Sequence, residues 1–253
     1  MLGTRVIPCL LLKNLGLVKT VKFRDPKYLG DPINIVKIFN DKEVDELIFL
    51  DITATVANKN PPFDLLAKIT TECFMPLGYG GGIRRIEDIK TILKLGVEKI
   101  CINTYAVQEP HFVRAAAEFA GSQAIVVSID VKKNHTSQYE VYTHCGQEAT
   151  GLHPVEHAVE MEKQGAGELL LNSIDRDGTM QGYDLELIKQ VSQAVGIPVV
   201  ACGGAATVQH LAEGIRAGAS AAAAGSMFVF QGPHRAVLIS YPTRQELRAV
   251  FDA

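Results

Sequence analysis

A single carboxylate, Asp130, closes an otherwise apolar run from Ala124 to Lys132 (AIVVSIDVK). A charge at the end of a buried strand must be paired, solvated in a site or protonated, and such a group is a candidate general acid or base. Pairing with Lys132 or Lys133 is the structural alternative. Two glycine pairs supply a second kind of chemistry. Gly81-Gly82 stands in PLGYGGGIRR and Gly203-Gly204 in PVVACGGAAT, each between an apolar run and a helix-period segment. Glycine at such a turn lets backbone N–H groups reach a ligand, and amides at a helix start favour anions. Thr104 and Ser226 add hydroxyl donors, preceded by Asn103 and Gly225. Asp177 and Gly178 lie in the loop DRDGTMQGYD, where a turn and ion-pair network leaves the Gly178 backbone free for phosphate.

The two cradles are copies. A shift of 122 residues carries Gly81 onto Gly203, Ile86 onto Val208, Ile89 onto Leu211, Gly96 onto Gly218, and Asn103-Thr104 onto Gly225-Ser226. Two matched phosphate sites facing one mouth imply a long ligand with a phosphate at each end. Isolated glycine pairs would fit tight turns equally well; the repeat with matched hydroxyls favours phosphate. Aligning the halves also sets Leu11 (CLLLK) opposite Asp130 (SIDVK) and Asp51 opposite Asn172. The latter two could steer ligand polar groups or satisfy loop backbone.

Strand-like runs are expected at Arg5 to Lys13, Glu46 to Thr53, the stretch ending at Gly81, Lys99 to Thr104, Ala124 to Lys132, Glu168 to Ile174, Pro198 to Cys202 and Ala221 to Phe228. Helix-period segments lie between them, with a small hairpin arm at Tyr139 to His144. Pro242 interrupts the last helical pattern, predicting a short helix before it and another at Arg244 to Phe251. Residues 14–30 show no clear periodicity and carry Lys19, Lys22, Arg24 and Lys27, which suggests a basic lid. Eight strand–helix units without a linker predict one domain over residues 1–253: a (β/α)8 TIM barrel made of two duplicated half-barrels, about 1–122 and 123–253. Its functional mouth would lie at the C-terminal ends of the strands.

The composition, with 47% hydrophobic and 21% charged residues, is that of a globular protein, and a net charge of −3 gives no footprint for nucleic acid or membrane. Five scattered cysteines form no CxxC, so neither disulfides nor a metal site is expected, and a reducing cytoplasm fits. No cofactor motif stands out. At the opposite end of the strands, Arg5, Glu46, Lys99 and Glu168 each open a strand. Two cations and two anions there could close a ring across the barrel floor, although solvated charges often start strands.

Through RVIPCL, GDP, DELIFLDITA, GGGI, INT, GSQA, SID, GAGE, SIDRDGT and GYD, the chain resembles the cyclase subunit of imidazole glycerol phosphate synthase. That family implies a glutaminase partner docked at the barrel floor, ammonia passing through the barrel, and a bisphosphorylated ligand at the mouth. The resemblance gives Arg5, Glu46, Lys99 and Glu168 the role of ammonia gate, Asp130 that of a catalytic aspartate and Lys19 that of a mobile-loop lysine. The second catalytic aspartate of the family falls at Leu11, and its strand-six threonine at Asn172. Loss of a positioned acid or base costs about 10²–10⁴-fold in rate, roughly 3–5 kcal/mol of barrier. The RVIPCLLLK start and GPHRAVLISYP further resemble a branch associated with surface-polysaccharide synthesis, which implies ammonia supply for sugar amidation through a third protein. A working histidine-pathway cyclase and a non-catalytic phosphometabolite-binding scaffold are the other expectations.

Overall fold

A computed structural model describes residues 4–251. Eight parallel strands, β1 (Arg5–Lys13), β2 (Leu47–Asp51), β3 (Leu77–Gly80), β4 (Lys99–Ile102), β5 (Ile125–Lys133), β6 (Glu168–Ser173), β7 (Val199–Cys202) and β8 (Ala221–Ala224), pair in chain order, and β8 returns to β1. The sheet is a closed (β/α)8 barrel. Its shell includes α1 (Pro32–Asp41), α2 (Phe63–Glu72), α3 (Ile86–Lys94), the one-turn α4 (Thr104–Gln108), α5 (Pro110–Ala120), α6 (Pro154–Lys163), α7 (Leu185–Ser192), α8 (Val208–Arg216), the one-turn α9 (Ser226–Val229) and α10 (Arg244–Phe251).

The continuous apolar character of β1 follows from burial on both faces. Val6, Leu10 and Leu12 face the helices and belong to the large outer core, whereas Ile7 and Cys9 face inward and belong to a separate cluster filling the bore. Local signals set the helix starts. Asp31 caps α1 by accepting from the amides of Ile33 and Asn34, with Pro32 at the first helical position. Asp88 accepts from the amides of Arg84 and Arg85 at the start of α3, and Thr207 caps α8.

Three expectations are corrected. Residues 14–30 form an ordered antiparallel extension: Gly16–Val21 folds back on β1, and Arg24–Gly30 pairs with it. Its periodicity is obscured because Leu17, Val18, Lys19 and Thr20 are buried in succession rather than alternately. Strand eight ends at Ala224, and the residues after it turn into α9, matching α4 in the first half. Before Pro242 there is a two-residue ladder, Phe230–Gln231 with Ala236–Val237, instead of a short helix. The expected arm at Tyr139 to His144 is present as Tyr139–Thr143, antiparallel to β5. Thus the nine-residue strands β1 and β5 each carry a folded-back strand over the mouth.

Candidate functional site

At the C-terminal ends of the strands lies a cavity of about 550 Å³. Gly81, Gly82, Asn103, Thr104, Asp177, Gly178, Gly203, Gly204, Gly225 and Ser226 all line it, as do Leu11, Lys19, Asp51, Asp130 and Asn172. Residues scattered over most of the chain therefore converge on one mouth.

Asp130 on β5 is register partner to Asn172 on β6, and both are buried. Burial, and then the negative charge of Asp177, raise the Asp130 carboxyl to about 7, while Asn172 and Ser128 pull it down to a lesser extent. Asp130 is not paired with the neighbouring lysines: Lys132 Nζ lies 5.6 Å from the centre of the Tyr142 ring and Lys133 Nζ 4.8 Å from that of Tyr139. At the corresponding position of the first half, Leu11 pairs in register with Leu50 of β2 and presents only hydrocarbon.

The cradle glycines have positive φ, +127° and +71° at Gly81 and Gly82, +92° and +111° at Gly203 and Gly204. Their need for glycine is also internal. A Cβ on Gly82 would stand 2.6 Å from the Lys59 carbonyl oxygen, and one on Gly204 2.3 Å from that of Gly182. Thr104 opens α4; its hydroxyl donates to Asn103 Oδ1 at 3.1 Å and accepts from the His144 amide. Asn103 Nδ2 donates to the Ser128 carbonyl. Ser226 opens α9, and its buried Oγ has no hydrogen-bond partner among the described residues; nor has the buried Asn172 Oδ1. Unpaired buried polar atoms at a cavity wall are suited to a polar ligand or water.

Two predicted ligand residues are occupied within the protein. Asp51 Oδ1 accepts from the Thr53 amide and hydroxyl and from the Ala54 amide, so it organises its own loop. Lys19 does not stand on a free lid: its buried Nζ donates to Asp177 Oδ1 at 2.7 Å, and Thr20 Oγ1 donates to Asp177 Oδ2. The Lys22 amide donates to the Asp177 carbonyl. Asp177 is thus the anchor of the β1 extension, a role the sequence did not signal because its partners lie far away in the chain.

At the floor, Arg5 donates to Glu46 and Glu168, and Lys99 donates to the same two carboxylates at 2.9 and 2.7 Å. The four side chains close a ring in which both glutamates are buried. Between ring and mouth, the barrel interior is filled by Ile7, Ile48, Val126, Leu170, Val200 and Ala221, with Cys9, Cys101, Cys202 and Ala223 among them. Burial raises the Cys101 thiol, and contact with Cys9 followed by burial raises Cys202, so both stay neutral. These cysteines were missed as lining residues. Strand alternation could have found two of them, since Cys9 and Cys101 lie two residues before Leu11 and Asn103.

Among the described residues, no group of three or more His, Cys, Asp or Glu could hold a metal ion, and no helix is long and apolar enough to cross a membrane.

The family described as histidine biosynthesis protein matches residues 5–234. A Pseudomonas aeruginosa protein named "Putative imidazole glycerol phosphate synthase subunit hisF2" is 50% identical over 248 residues, 98% of this chain and 99% of that protein. A Leptospira interrogans protein of the same kind of name is 47% identical over 99% of this chain and its own full length. One from Vibrio vulnificus is 44% identical over the whole of this chain and 98% of its own length.

Proposed function

The chain belongs to the histidine biosynthesis protein family, and from that premise we propose that it is an imidazole glycerol phosphate synthase-type subunit that delivers ammonia rather than completing the cyclisation. A glutaminase docks on the floor and releases ammonia at the Arg5–Glu46–Lys99–Glu168 ring. Neutral ammonia then crosses the apolar bore, where no side chain would protonate it. Gly81, Gly82, Asn103 and Thr104 hold one phosphate of a bisphosphorylated ligand, and Gly203, Gly204, Gly225 and Ser226 hold the other, assisted by Gly178. Orphaned Ser226 Oγ and Asn172 Oδ1 support a polar ligand at that end.

The observation that carries this reading is that the two half-barrels place Asp130 and Leu11 at matching positions of the mouth. Asp130 can give and take a proton; Leu11, at the matching position, can do neither. Asp177 is no substitute, because Lys19 and Thr20 occupy its oxygens. Ammonia would then leave for an acceptor, a sugar amidated by a third protein in surface-polysaccharide synthesis.

The test combines the purified chain with a candidate glutaminase subunit. Glutamine hydrolysis should rise on complex formation, and neither glutamine nor ammonium salt should yield imidazole glycerol phosphate beyond a trace, even after Leu11→Asp. A second reading, a working histidine-pathway cyclase that also releases aminoimidazole carboxamide ribotide, draws support from the Asp130 carboxyl at about 7, where one group can serve in both directions. Rescue of a histidine auxotroph lacking its cyclase would establish that reading and sink the first.

A further inference from the structure

A second cavity, of about 810 Å³, stands above the mouth between the two folded-back extensions. Thr20, Phe23, Ile52, Val56 and Cys145 line both spaces. Four cations surround the upper one. Lys13 and Lys132 occupy the same position in the two halves, each two residues beyond its mouth residue, Leu11 or Asp130, and so on the same face of its strand one pleat further out. Lys22 and Arg24 come from the turn of the β1 extension, which the Lys22 amide pins to the Asp177 carbonyl.

None of these four cations has a salt-bridge partner among the described residues. The one carboxylate on the wall, Asp175, accepts from the Lys133 amide at 2.9 Å. A chain of net charge −3 thus gathers four cations without a salt-bridge partner in one recess, Lys132 lying over the Tyr142 ring. Concave walls with one sign of charge focus the field and raise the local concentration of the opposite ion. The Phe23 and Tyr142 side chains add flat apolar surface to the same wall.

We propose that this upper cavity is a binding site for a diphosphate group, separate from the two cradles below. A single phosphate monoester, with about two negative charges, would leave half of the four cations unanswered. A diphosphate fits the number of cationic donors on the wall. The assignment is independent of whether the barrel delivers ammonia.

Calorimetric titration of the intact chain with ADP and with inorganic pyrophosphate at low salt tests it. Both should bind, and K13Q/K132Q should weaken binding by at least about tenfold, as expected when charge-assisted hydrogen bonds are lost. Arg24→Glu, at the exposed start of the strand Arg24–Gly30, should cause the same loss while leaving the melting temperature unchanged. Ser226→Asp, which repels anions from the lower cavity, should leave this binding intact. ADP binding more tightly than pyrophosphate would place a nucleoside against Phe23 and Tyr142; equal affinities would make the diphosphate alone the ligand. Failure of both to bind, or loss in Ser226→Asp with retention in K13Q/K132Q, would overturn the assignment.

Discussion

At the scale of one residue, Asp130 combines burial with reactivity. Its carboxyl ordinarily titrates near 3.8 and is lifted to about 7, chiefly by burial and then by the charge of Asp177. The folded state therefore holds this proton more tightly than the unfolded chain. The stabilisation is fully present below about 3.8 and is lost as the pH rises through about 7. Asp130→Asn, which stays neutral, should be more stable than the wild type above neutrality, by on the order of a few kcal/mol, and the difference should close below pH ~4. Urea unfolding at the two extremes measures this. Equal differences at both would show that the charged form bears no burial penalty. Lys19 and Asp177 show the opposite arrangement, two buried charges that answer each other.

The elements that bring these residues together are short strands followed by glycine turns that cross one another closely. Gly204 and Gly182 are linked in both respects: the Gly182 amide donates to the Gly204 carbonyl at 2.9 Å, and a Cβ on Gly204 would overlap the Gly182 carbonyl. Gly204→Ala should therefore cost about 2 kcal/mol or more, through both the clash and the φ of +111°. Thermal melting checks it, and a neutral outcome would mean that the loop shifts freely. This packing explains what the sequence could reveal. The eight strands, the placing of the glycine pairs at one mouth and the floor charges were legible because barrel periodicity and the repeat place them independently of their neighbours. The β1 extension was not, because its buried residues run in succession and its anchor, Asp177, lies 158 residues from Lys19. Strand eight was overextended for a related reason: Ser226-Met227-Phe228-Val229 is apolar enough to continue a strand, and strand four was carried to Thr104 in the same way, although it ends at Ile102 and Thr104–Gln108 is a helical turn.

Across the whole molecule, the four-residue ion-pair ring and the residues of the mouth lie at opposite ends of one barrel. Lys99→Met would leave Glu46 and Glu168 with Arg5 as their remaining cation in the ring, and removing one partner of a buried pair typically costs about 3–5 kcal/mol. Ligand affinity at the mouth should stay unchanged, since distant sites act additively. Denaturant melts and phosphate titrations on the same variant separate the two effects; a linked loss would show that the floor braces the mouth. The strand wall has a wider consequence. Inward side chains such as Ile7, Val126 and Leu170 form one apolar group, and those holding the helices form another. Substitutions inside can repack the barrel interior while leaving the helix contacts in place, so the inner cluster is free to diverge at a rate of its own.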